Sequence, residues 1–321
     1  MGHRDIRLTV AEARTIYDVA AIDRAMEEAA GNRNEALASL YDKMKQRGGE
    51  RFLIRPTHAD MVDDLYESCP NFDEVIDDIK KHLALSVAGN EPTHFTPILL
   101  LGEPGIGKTH FARELANRLG TGHEFVSMSS LTAGWVLSGA SAQWNNAKPG
   151  KVAHTLVHGD FANPIVVLDE IDKAGGDSRY DPYGALYSLL ENDTARAFKD
   201  EFVDIDIDAS HILWVTTAND ERSIPEPILN RMNVYEVPRP DHDASLRIAR
   251  SLYSDSVSEH DWGFPPEPDD SVLERLASLP PRDMKKRLLA AFGTAKLAGR
   301  NWLETSDFEQ ARSGRSRKIG F

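Results

Sequence analysis

Residues 97–109 carry the side chains best suited to chemistry. Their sequence, PILLLGEPGIGKT, is an apolar run followed by a Gly/Pro turn and by Lys108 and Thr109, and it matches the G-x-x-x-x-G-K-[ST] pattern of a phosphate loop. Glycines let such a loop curl until its N–H groups point inward, and the helix that follows adds the positive end of its dipole. A chance match is the alternative, but the position between a strand-like run and the amphipathic FARELANRLG favours nucleotide binding.

The loop predicts a nucleotide polyphosphate and Mg²⁺ as ligands. Lys108 would place a mobile positive charge on the β and γ phosphates, and the Thr109 hydroxyl would hold the metal. The predicted nucleotide-binding residues of the loop are Glu103, Pro104, Gly105, Ile106, Gly107, Lys108, Thr109 and His110.

A second apolar run ends in two carboxylates. Residues 165–168 have the pattern of a buried strand that delivers Asp169 and Glu170 at its carboxyl end. Asp169 is suited to nucleotide binding and to the Mg²⁺ shell, which it would contact through a water, and Glu170 is suited to polarising a water for attack on the γ-phosphate. Taken alone, such a pair is often only the end of a strand. After a phosphate loop it indicates a hydrolytic site.

Polar residues also follow the apolar run of HILWVTTAND, which predicts another buried strand. It ends in Thr216, Thr217 and Asn219. Because the carboxyl ends of neighbouring parallel strands face one crevice, Asn219 can reach the same water as Glu170. The alternative is that Asn219 only caps the turn.

Arg231 follows a short helical turn and precedes a strand predicted at 234–237. Two interpretations stay open for this arginine. It is either a solvated surface residue or a source of positive charge for a phosphate bound by a neighbouring subunit.

Composition limits the class of protein. The chain has 321 residues, of which 41% are hydrophobic and 27% charged, as in ordinary soluble globular proteins. No apolar run reaches the ~18 residues of a membrane span, and the N-terminus has no apolar signal core, so we expect a cytoplasmic protein. The single cysteine, Cys69, excludes an internal disulfide and a cysteine metal cluster. A net charge of -14 argues against a broad nucleic-acid footprint, although it leaves room for a local basic pore.

The N-terminal region, residues 1–68, is predicted to be helical. Thr9 and Glu12 form a capping-box signature, and apolar residues then recur at helical spacing, which predicts one long helix ended by Gly31. The apolar residues are Ala13, Ile16, Val19, Ile22, Met26 and Ala29. The region carries no chemical motif, so it is either an accessory element that packs on its own module or a partner, or a substrate-recognition element.

A second helix is predicted in the same region. Asn32 or Asn34 can cap it, and Gly48 with Gly49 would close it. Its apolar face would comprise Leu37, Leu40, Tyr41 and Met44. Residues 51–56 are expected to form a short extended link, and NFDEVIDDIKKHLAL is expected to be helical.

Residues 240–311 predict a small helical lid. Their apolar residues recur as in successive amphipathic helices, and they are Leu246, Ala249, Leu252, Val272, Leu276, Leu288, Leu289, Phe292 and Phe308. Residues 312–321 are basic and predict a flexible tail.

Several stretches, taken together, resemble the ATPase module of Lon proteases, within the AAA+ superfamily. They are GEPGIGKT, NPIVVLDEIDK, DSRYDPYGALYSLLEND, the F-x-D of AFKDEF, TTAND and IPEPILNRM, in this order. The resemblance runs from about Cys69 to Arg312. It implies a three-layer α/β P-loop domain with a parallel sheet over residues 69–239, followed by the lid, and hydrolysis of ATP with Mg²⁺ in a homo-oligomeric ring, most simply a hexamer.

The resemblance also implies roles for single residues. It implies that Lys108 and Thr109 belong to the Walker A motif and Asp169 and Glu170 to the Walker B motif. It further implies that Asn219 is the sensor 1 residue, Arg231 the arginine finger and Arg282 the sensor 2 arginine of the lid. One position departs from the family, because Asn230 stands where an Asp is usual.

The stretch AQWNNAKPGK resembles the first pore loop of the family. Trp144 stands where an aromatic side chain grips the substrate, and Asn145 replaces the usual apolar residue, which weakens the expected grip. Polar and glycine neighbours make Trp144 a poor core residue, so we expect it to be exposed. The alternatives are that Trp144 folds back on its own domain, or that Trp135 makes the contact instead.

The end of the sequence departs most from the Lon pattern. A Lon protease continues into a proteolytic domain with a Ser-Lys pair, whereas the helical segments here end near Arg312, so we expect no protease active site in this sequence. The last residues, Ile319, Gly320 and Phe321, resemble the tripeptide by which Clp-type unfoldases dock on a protease ring, and a frayed tail is the alternative.

The sequence thus favours a protein-remodelling ATPase with a protein substrate and with a separate protease or effector as a candidate partner. Two other classes stay open. One is a nucleotide-gated scaffold or switch that hydrolyses slowly, and the other, disfavoured by the acidic balance, is a motor on nucleic acid.

Overall fold

Parallel strands form the main sheet of this protein. In the computed structural model, the described residues are 10–28, 34–130, 135–144, 146–174 and 181–309. Their strands are β1 (Val10–Thr15), β2 (Glu50–Arg55), β3 (Ile98–Leu101), β4 (His123–Ser127), β5 (Ile165–Asp169), β6 (Phe198–Lys199), β7 (Asp206–Ile207), β8 (Leu213–Ala218) and β9 (Asn233–Glu236). The sheet has the order β4-β5-β8-β3-β9, and all its pairs are parallel. The predicted α/β class with a parallel sheet is confirmed.

Helices connect and flank these strands. They are α1 (Val19–Glu28), α2 (Glu35–Arg47), α3 (Leu65–Ser68), α4 (Asp73–Gly89), α5 (Lys108–Leu119), α6 (Trp135–Ser138), α7 (Lys151–His158), α8 (Leu186–Leu189), α9 (Asn192–Ala195), α10 (Glu226–Leu229), α11 (His242–Glu259), α12 (Asp270–Ala277) and α13 (Pro281–Leu297). Within the described ranges, none of these helices is both long and apolar enough to span a membrane.

The chain divides into two compact units. The first contains the described residues up to Leu65, Phe72–Pro104 and Lys108–Val237, and the second contains Tyr66–Asn71, Gly105–Gly107 and the described residues from Pro238 on. The N-terminal elements β1, α1, α2 and β2 therefore belong to the same unit as the main sheet.

The central strands are buried on both faces. Every residue of β8 is buried, and in β5 only the last residue, Asp169, is partly exposed. Near-continuous apolar runs are typical of parallel strands covered by helices on both sides. The register pairs Leu101 of β3 with Ala218 of β8, and Leu168 of β5 with Thr216. The carboxyl ends of β3, β5 and β8 therefore meet at one edge of the sheet.

The first predicted helix is wrong over its first half. Residues 10–15 form β1, which pairs antiparallel with β2 from Val10 opposite Arg55 to Thr15 opposite Glu50, and helix α1 begins only at Val19. At the end of the pair, Gly49 leaves no space for a side chain, because a Cβ there would lie 2.0 Å from the carbonyl oxygen of Tyr17. The strand partner lies far along the sequence, so helical spacing within a local window could not reveal it.

The second predicted helix is confirmed as α2. The Asn34 side chain accepts a hydrogen bond from the backbone N–H of Leu37 at 3.1 Å, as an N-cap residue does. Gly48 ends the helix at a φ of 73°, in the left-handed region that favours glycine. The four predicted apolar residues are buried. Parts of the predictions fall outside the described residues, namely Thr9, Ala29, Gly31, Asn32, Asn145 and residues 312–321.

Arg51 fastens the N-terminal region to the rest of the first unit. Its side chain is 3% exposed, and its guanidinium donates hydrogen bonds to the carbonyl oxygens of Leu156 and Val157, both at 2.7 Å. These carbonyls lie in the last turn of α7, where helix carbonyls lack partners and the dipole favours a cation. Further bonds to the carbonyls of Gly48 and Glu50 leave the charge well solvated by the backbone.

Asn163 makes a second attachment. It is fully buried, and its side chain both accepts from the N–H of Ile54 and donates to the carbonyl of Ile54, each at 3.0 Å. The amide thus pairs with β2 as a neighbouring strand would. Apolar residues of α2 and β2, including Met44 and Leu53, join one hydrophobic core with residues of the main sheet.

The second unit has its own helical core. α11, α12 and α13 pack around Phe292, whose ring lies 5.4 Å from that of Tyr253 and 4.7 Å from that of Phe264. The amphipathic helices predicted for residues 240–311 are therefore present, at the bounds given above for α11, α12 and α13.

We expect Arg51→Met to lower the free energy of unfolding by about 2–4 kcal/mol, because two buried carbonyls would lose their donor. Urea denaturation would measure it. Arg47→Met is the matched control, since Arg47 also donates to a carbonyl near the end of α7, that of Gly159, but its side chain is 38% exposed. The control should lose no more than about 1 kcal/mol. Equal stabilities of the two variants would contradict the anchoring role of Arg51.

Candidate active site

The phosphate-loop sequence lies between β3 and α5, as predicted. Gly105 has a φ of 86° and Gly107 a φ of 109°. Residues with a Cβ rarely adopt these values, which explains the glycines of the motif. Lys108 is the first residue of α5.

Lys108 is buried among oxygen atoms. Its side-chain Nζ donates to the carbonyls of Gly102 and Glu103 at 2.5 and 3.0 Å, and to Oδ1 of Asn219 at 3.1 Å. Burial lowers the pKa of Lys108, and the charges of nearby Asp169, Asp172 and Glu170 oppose that shift. The ammonium is thus held by acceptors that phosphate oxygens could replace.

One carboxylate oxygen of Asp169 accepts hydrogen bonds from two hydroxyl groups. Oδ1 of Asp169 accepts from the Thr109 hydroxyl at 3.0 Å and from the Thr217 hydroxyl at 2.7 Å. Hydroxyl and carboxylate oxygens are ligands that Mg²⁺ accepts. Around the one ammonium, Asp169, Asp172 and Glu170 leave an excess of negative charge that a divalent cation would balance. The residues therefore fit Mg²⁺ and a nucleotide polyphosphate.

Glu170 has a strained backbone. Its φ of 55° and ψ of 50° lie in the left-handed region, which costs a residue with a side chain on the order of 1 kcal/mol and is often found at functional sites. The conformation is supported by Thr217, whose hydroxyl oxygen accepts from the Glu170 N–H at 3.0 Å. Thr217 thus bonds to both Asp169 and Glu170. The sequence placed Thr217 at the end of the strand that is now β8, but it did not reveal this role.

Asn219 bonds to both Lys108 and Asp172. Besides accepting from Lys108, it donates its backbone N–H to Oδ2 of Asp172 at 3.2 Å. The other oxygen of Asp172 is buried and has no hydrogen-bond partner among the described residues. The structure therefore places two hydrogen-bonded groups at this edge of the sheet. One joins Lys108, Asn219 and Asp172, and the other joins Thr109, Asp169, Thr217 and the backbone N–H of Glu170.

Arg231 has different neighbours. Its guanidinium pairs with Oε1 of Glu191 at 2.6 Å and donates to the carbonyl of Pro227. It also lies 6.0 Å from the centre of the Tyr187 ring. These partners belong to the short helices α8 to α10 and their flanks, and the contacts that the structure gives Arg231 include none of the Lys108 group.

Arg282 belongs to the second unit, in the first turn of α13, and is exposed. In the same unit it lies beside Gly105, where an added Cβ would come within 3.3 Å of the Arg282 Cβ. Of the remaining loop residues, Ile106 is buried, and Glu103, Pro104 and His110 are exposed.

Trp144 is exposed, as expected from its neighbours. Half of its side chain is accessible, and its ring meets that of Trp135 edge to face, with centroids 5.7 Å apart. Both rings thus contribute to one exposed aromatic surface. Asn145 lies outside the described residues.

A buried carboxylate holds the base of the segment that carries Trp144. Asp200 is fully buried and accepts backbone hydrogen bonds from Gly150 at 2.7 Å, Phe202 at 2.9 Å and Val203 at 3.1 Å. Gly139 passes so close that a Cβ would lie 2.3 Å from an Asp200 oxygen. Burial raises the pKa of Asp200 to about 6, although the three N–H groups oppose the shift. The sequence offered only the F-x-D resemblance as a signal for this residue.

Known proteins match the same region. The family "ATPase family associated with various cellular activities (AAA)" matches residues 98–239, so this region of the chain is similar to an AAA ATPase domain. Its relatives include Lon proteases. That of Halothermothrix orenii is 33% identical over 189 residues, or 58% of this chain and 24% of that protein. The Lon protease of Nitrosococcus oceani is 35% identical over 178 residues, which is 54% of this chain and 23% of that protein. The resemblance of the ATPase region to Lon is confirmed, and the matches span less than a quarter of these relatives.

Solved structures support the fold. A point mutant of Thermotoga maritima RuvB matches with a TM-score of 0.50 and 17% identity, over 74% of this chain and 67% of that one. A second point mutant of the same protein matches over the same shares with a TM-score of 0.50 and 18% identity. At such low identity the likeness concerns the fold alone.

The pKa of Asp200 predicts a pH dependence of stability. Because the folded-state pKa of about 6 exceeds the ordinary value of 3.8, the folded state binds the proton more readily, and stability rises as pH falls. Relative to Asp200→Asn, which does not titrate, the wild type should gain about 1 kcal/mol between about pH 7 and pH 5. Urea denaturation of both proteins at both pH values would measure the gain. A difference that stays constant would contradict the raised pKa.

Proposed function

We propose that this protein is a Mg-ATP-dependent ATPase of the AAA+ type that assembles as a ring and uses hydrolysis to unfold or remodel a protein substrate. The observation that carries the enzymatic part is the placement of two hydrogen-bonded pairs, Lys108 with Asn219 and Thr109 with Asp169, at the carboxyl edge of the sheet. The resemblance to Lon proteases supports the ring, most simply a hexamer, and the protein substrate.

Each of these residues has a chemical task in this proposal. Lys108 exchanges its carbonyl and amide acceptors for β and γ phosphate oxygens. Thr109 and, through a water, Asp169 would hold Mg²⁺, which would supply charge stabilisation on the phosphates. Glu170 accepts a proton from the attacking water, and Asn219, beside Lys108, orients that water. The αL backbone of Glu170, held by Thr217, fixes where the carboxylate side chain begins.

Arg231 is proposed to act across a subunit boundary. An arginine finger stabilises charge on the phosphate bound by the neighbouring subunit. In a single subunit Arg231 is paired with Glu191, and their side chains are 26% and 48% exposed. Because the Glu191 carboxylate is open to water, a phosphate could replace it as the partner of Arg231. Arg282 is proposed to act on nucleotide as the sensor 2 arginine.

We expect Glu170→Gln to retain ATP binding and to lose turnover about 100-fold or more, because an amide cannot accept the proton from water. Lys108→Ala should lose binding or turnover through the missing charge. Nucleotide binding and phosphate release would measure these effects. Glu259→Gln, at an exposed position of the second unit, is the control and should behave as wild type. Near-normal turnover in Glu170→Gln would refute the assignment.

Trp144→Ala tests the protein substrate. The variant should keep basal ATP hydrolysis, since Trp144 belongs to neither of the two hydrogen-bonded groups at the carboxyl edge of the sheet, and should lose stimulation by an unfolded protein. Trp302→Ala is the matched control, because Trp302 is similarly exposed, at 55%, but belongs to the second unit. Hydrolysis assays with and without an unfolded protein or DNA would measure the effect.

The same assay separates the alternatives. Stimulation of the wild type by DNA would favour a nucleic-acid motor, and no stimulation by either polymer would favour a slowly hydrolysing switch. A Trp144→Ala protein that processes substrate as well as the wild type would contradict the role of this residue in gripping substrate.

A further inference from the structure

Helix α2 reaches the segment that carries Trp144. We call residues 139–144 and 146–150 the aromatic loop. Asn34, the N-cap residue of α2, uses its two side-chain atoms separately: Oδ1 accepts from the Leu37 N–H within the helix, and Nδ2 donates to the carbonyl of Ala142 at 2.7 Å. One end of α2 is therefore bonded directly to the aromatic loop.

A second residue of α2 reaches the base of this loop. The ring of Tyr41 is buried, and its hydroxyl donates to the carbonyl of Val203 at 2.7 Å. Val203 in turn donates its N–H to Oδ1 of Asp200, whose Oδ2 accepts from the N–H of Gly150. A continuous series of hydrogen bonds thus runs from α2 to the residue that ends the loop.

The base of the loop cannot adjust easily. A Cβ on Gly150 would lie 2.2 Å from the carbonyl oxygen of Leu137, and the N–H of Ala140 donates to the carbonyl of Lys148 at 3.2 Å. Because both ends of the aromatic loop are closely packed, contacts from other segments determine the position of the part that contains Ala142. Asn34 makes such a contact. It lies seven residues before Tyr41, about two helical turns away and on the same face of α2.

We propose that α2 is a positioning element for the aromatic loop, in which Asn34 and Tyr41 hold Trp144 in place for contact with a protein substrate. The proposal gives the N-terminal region a function within its own subunit. It rests on the proposed function for its substrate, but the ordering of the loop by α2 does not depend on that function.

Two conservative variants test the proposal in the full chain. Asn34→Asp keeps an acceptor for the helix cap but loses the donor to Ala142. Tyr41→Phe keeps the buried ring but loses the hydroxyl. Tyr17→Phe is the matched control, because it also removes a buried hydroxyl from the N-terminal region, one that donates to the carbonyls of Met44 and Gly48 and not to the loop or its base.

The first measurement is amide hydrogen exchange of residues 139–150 without nucleotide or substrate. Asn34→Asp and Tyr41→Phe should accelerate exchange there by about two- to ten-fold, the range expected for the loss of one hydrogen bond. Tyr17→Phe should leave exchange in these residues unchanged. Unchanged exchange in both test variants, or equal acceleration in the control, would overturn the proposal.

The second measurement is ATP hydrolysis against the concentration of reduced, carboxymethylated α-lactalbumin. Basal turnover should stay at the wild-type level in all variants, while half-maximal stimulation should require about two- to ten-fold more substrate in Asn34→Asp and Tyr41→Phe. Faster exchange without this shift would overturn the role in substrate contact. If the wild type itself shows no stimulation, the proposed substrate is wrong, and the exchange data alone decide whether α2 orders the loop.

Discussion

Parallel pairing of β3 with β8, and of β8 with β5, is the constraint on which the candidate active site depends. The register brings Gly102, Asp169 and Asn219 to one edge although they are widely separated along the chain. A shift of one residue in β8 would move Thr217 to the other face of the sheet, and Asp169 would lose one hydroxyl while the Glu170 N–H would lose its acceptor. The buried, apolar strands make such a shift costly, so the core fixes the chemistry at its edge.

The N-terminal region extends this constraint to the aromatic loop. Arg51 and Asn163 satisfy backbone groups on both sides of the contact between this region and the main sheet, and the apolar face of α2 completes a common core. Unfolding of residues 34–55 would therefore expose part of the ATPase core. This integration explains how a region without a chemical motif can affect a loop that lies far from it in the sequence.

The first of the two compact units also contains two residues whose conformation or burial reduces its stability. Glu170 has a left-handed backbone, and the carboxylate of Asp200 is buried, which raises its pKa. Each is compensated locally, Glu170 by the hydroxyl of Thr217 and Asp200 by three backbone N–H groups. Both lie at positions that the proposed function uses, since Glu170 is the proposed base and Asp200 bonds to Gly150 at the end of the aromatic loop. Such costs are typical of sites where position matters more than stability.

The sequence alone determined what depends on neighbours within a few residues. It predicted α2 with Asn32 or Asn34 as its cap, four strands of the main sheet and the polar residues at the ends of three of them, because capping, periodicity and loop motifs are local. Tertiary structure decided the rest. Residues 10–15 form a strand because β2 offers a partner, and Arg231 pairs with Glu191 because α8 to α10 fold together. Thr217 and Asp200 acquire their partners from other segments, and the free energy of such contacts exists only once the chain has folded.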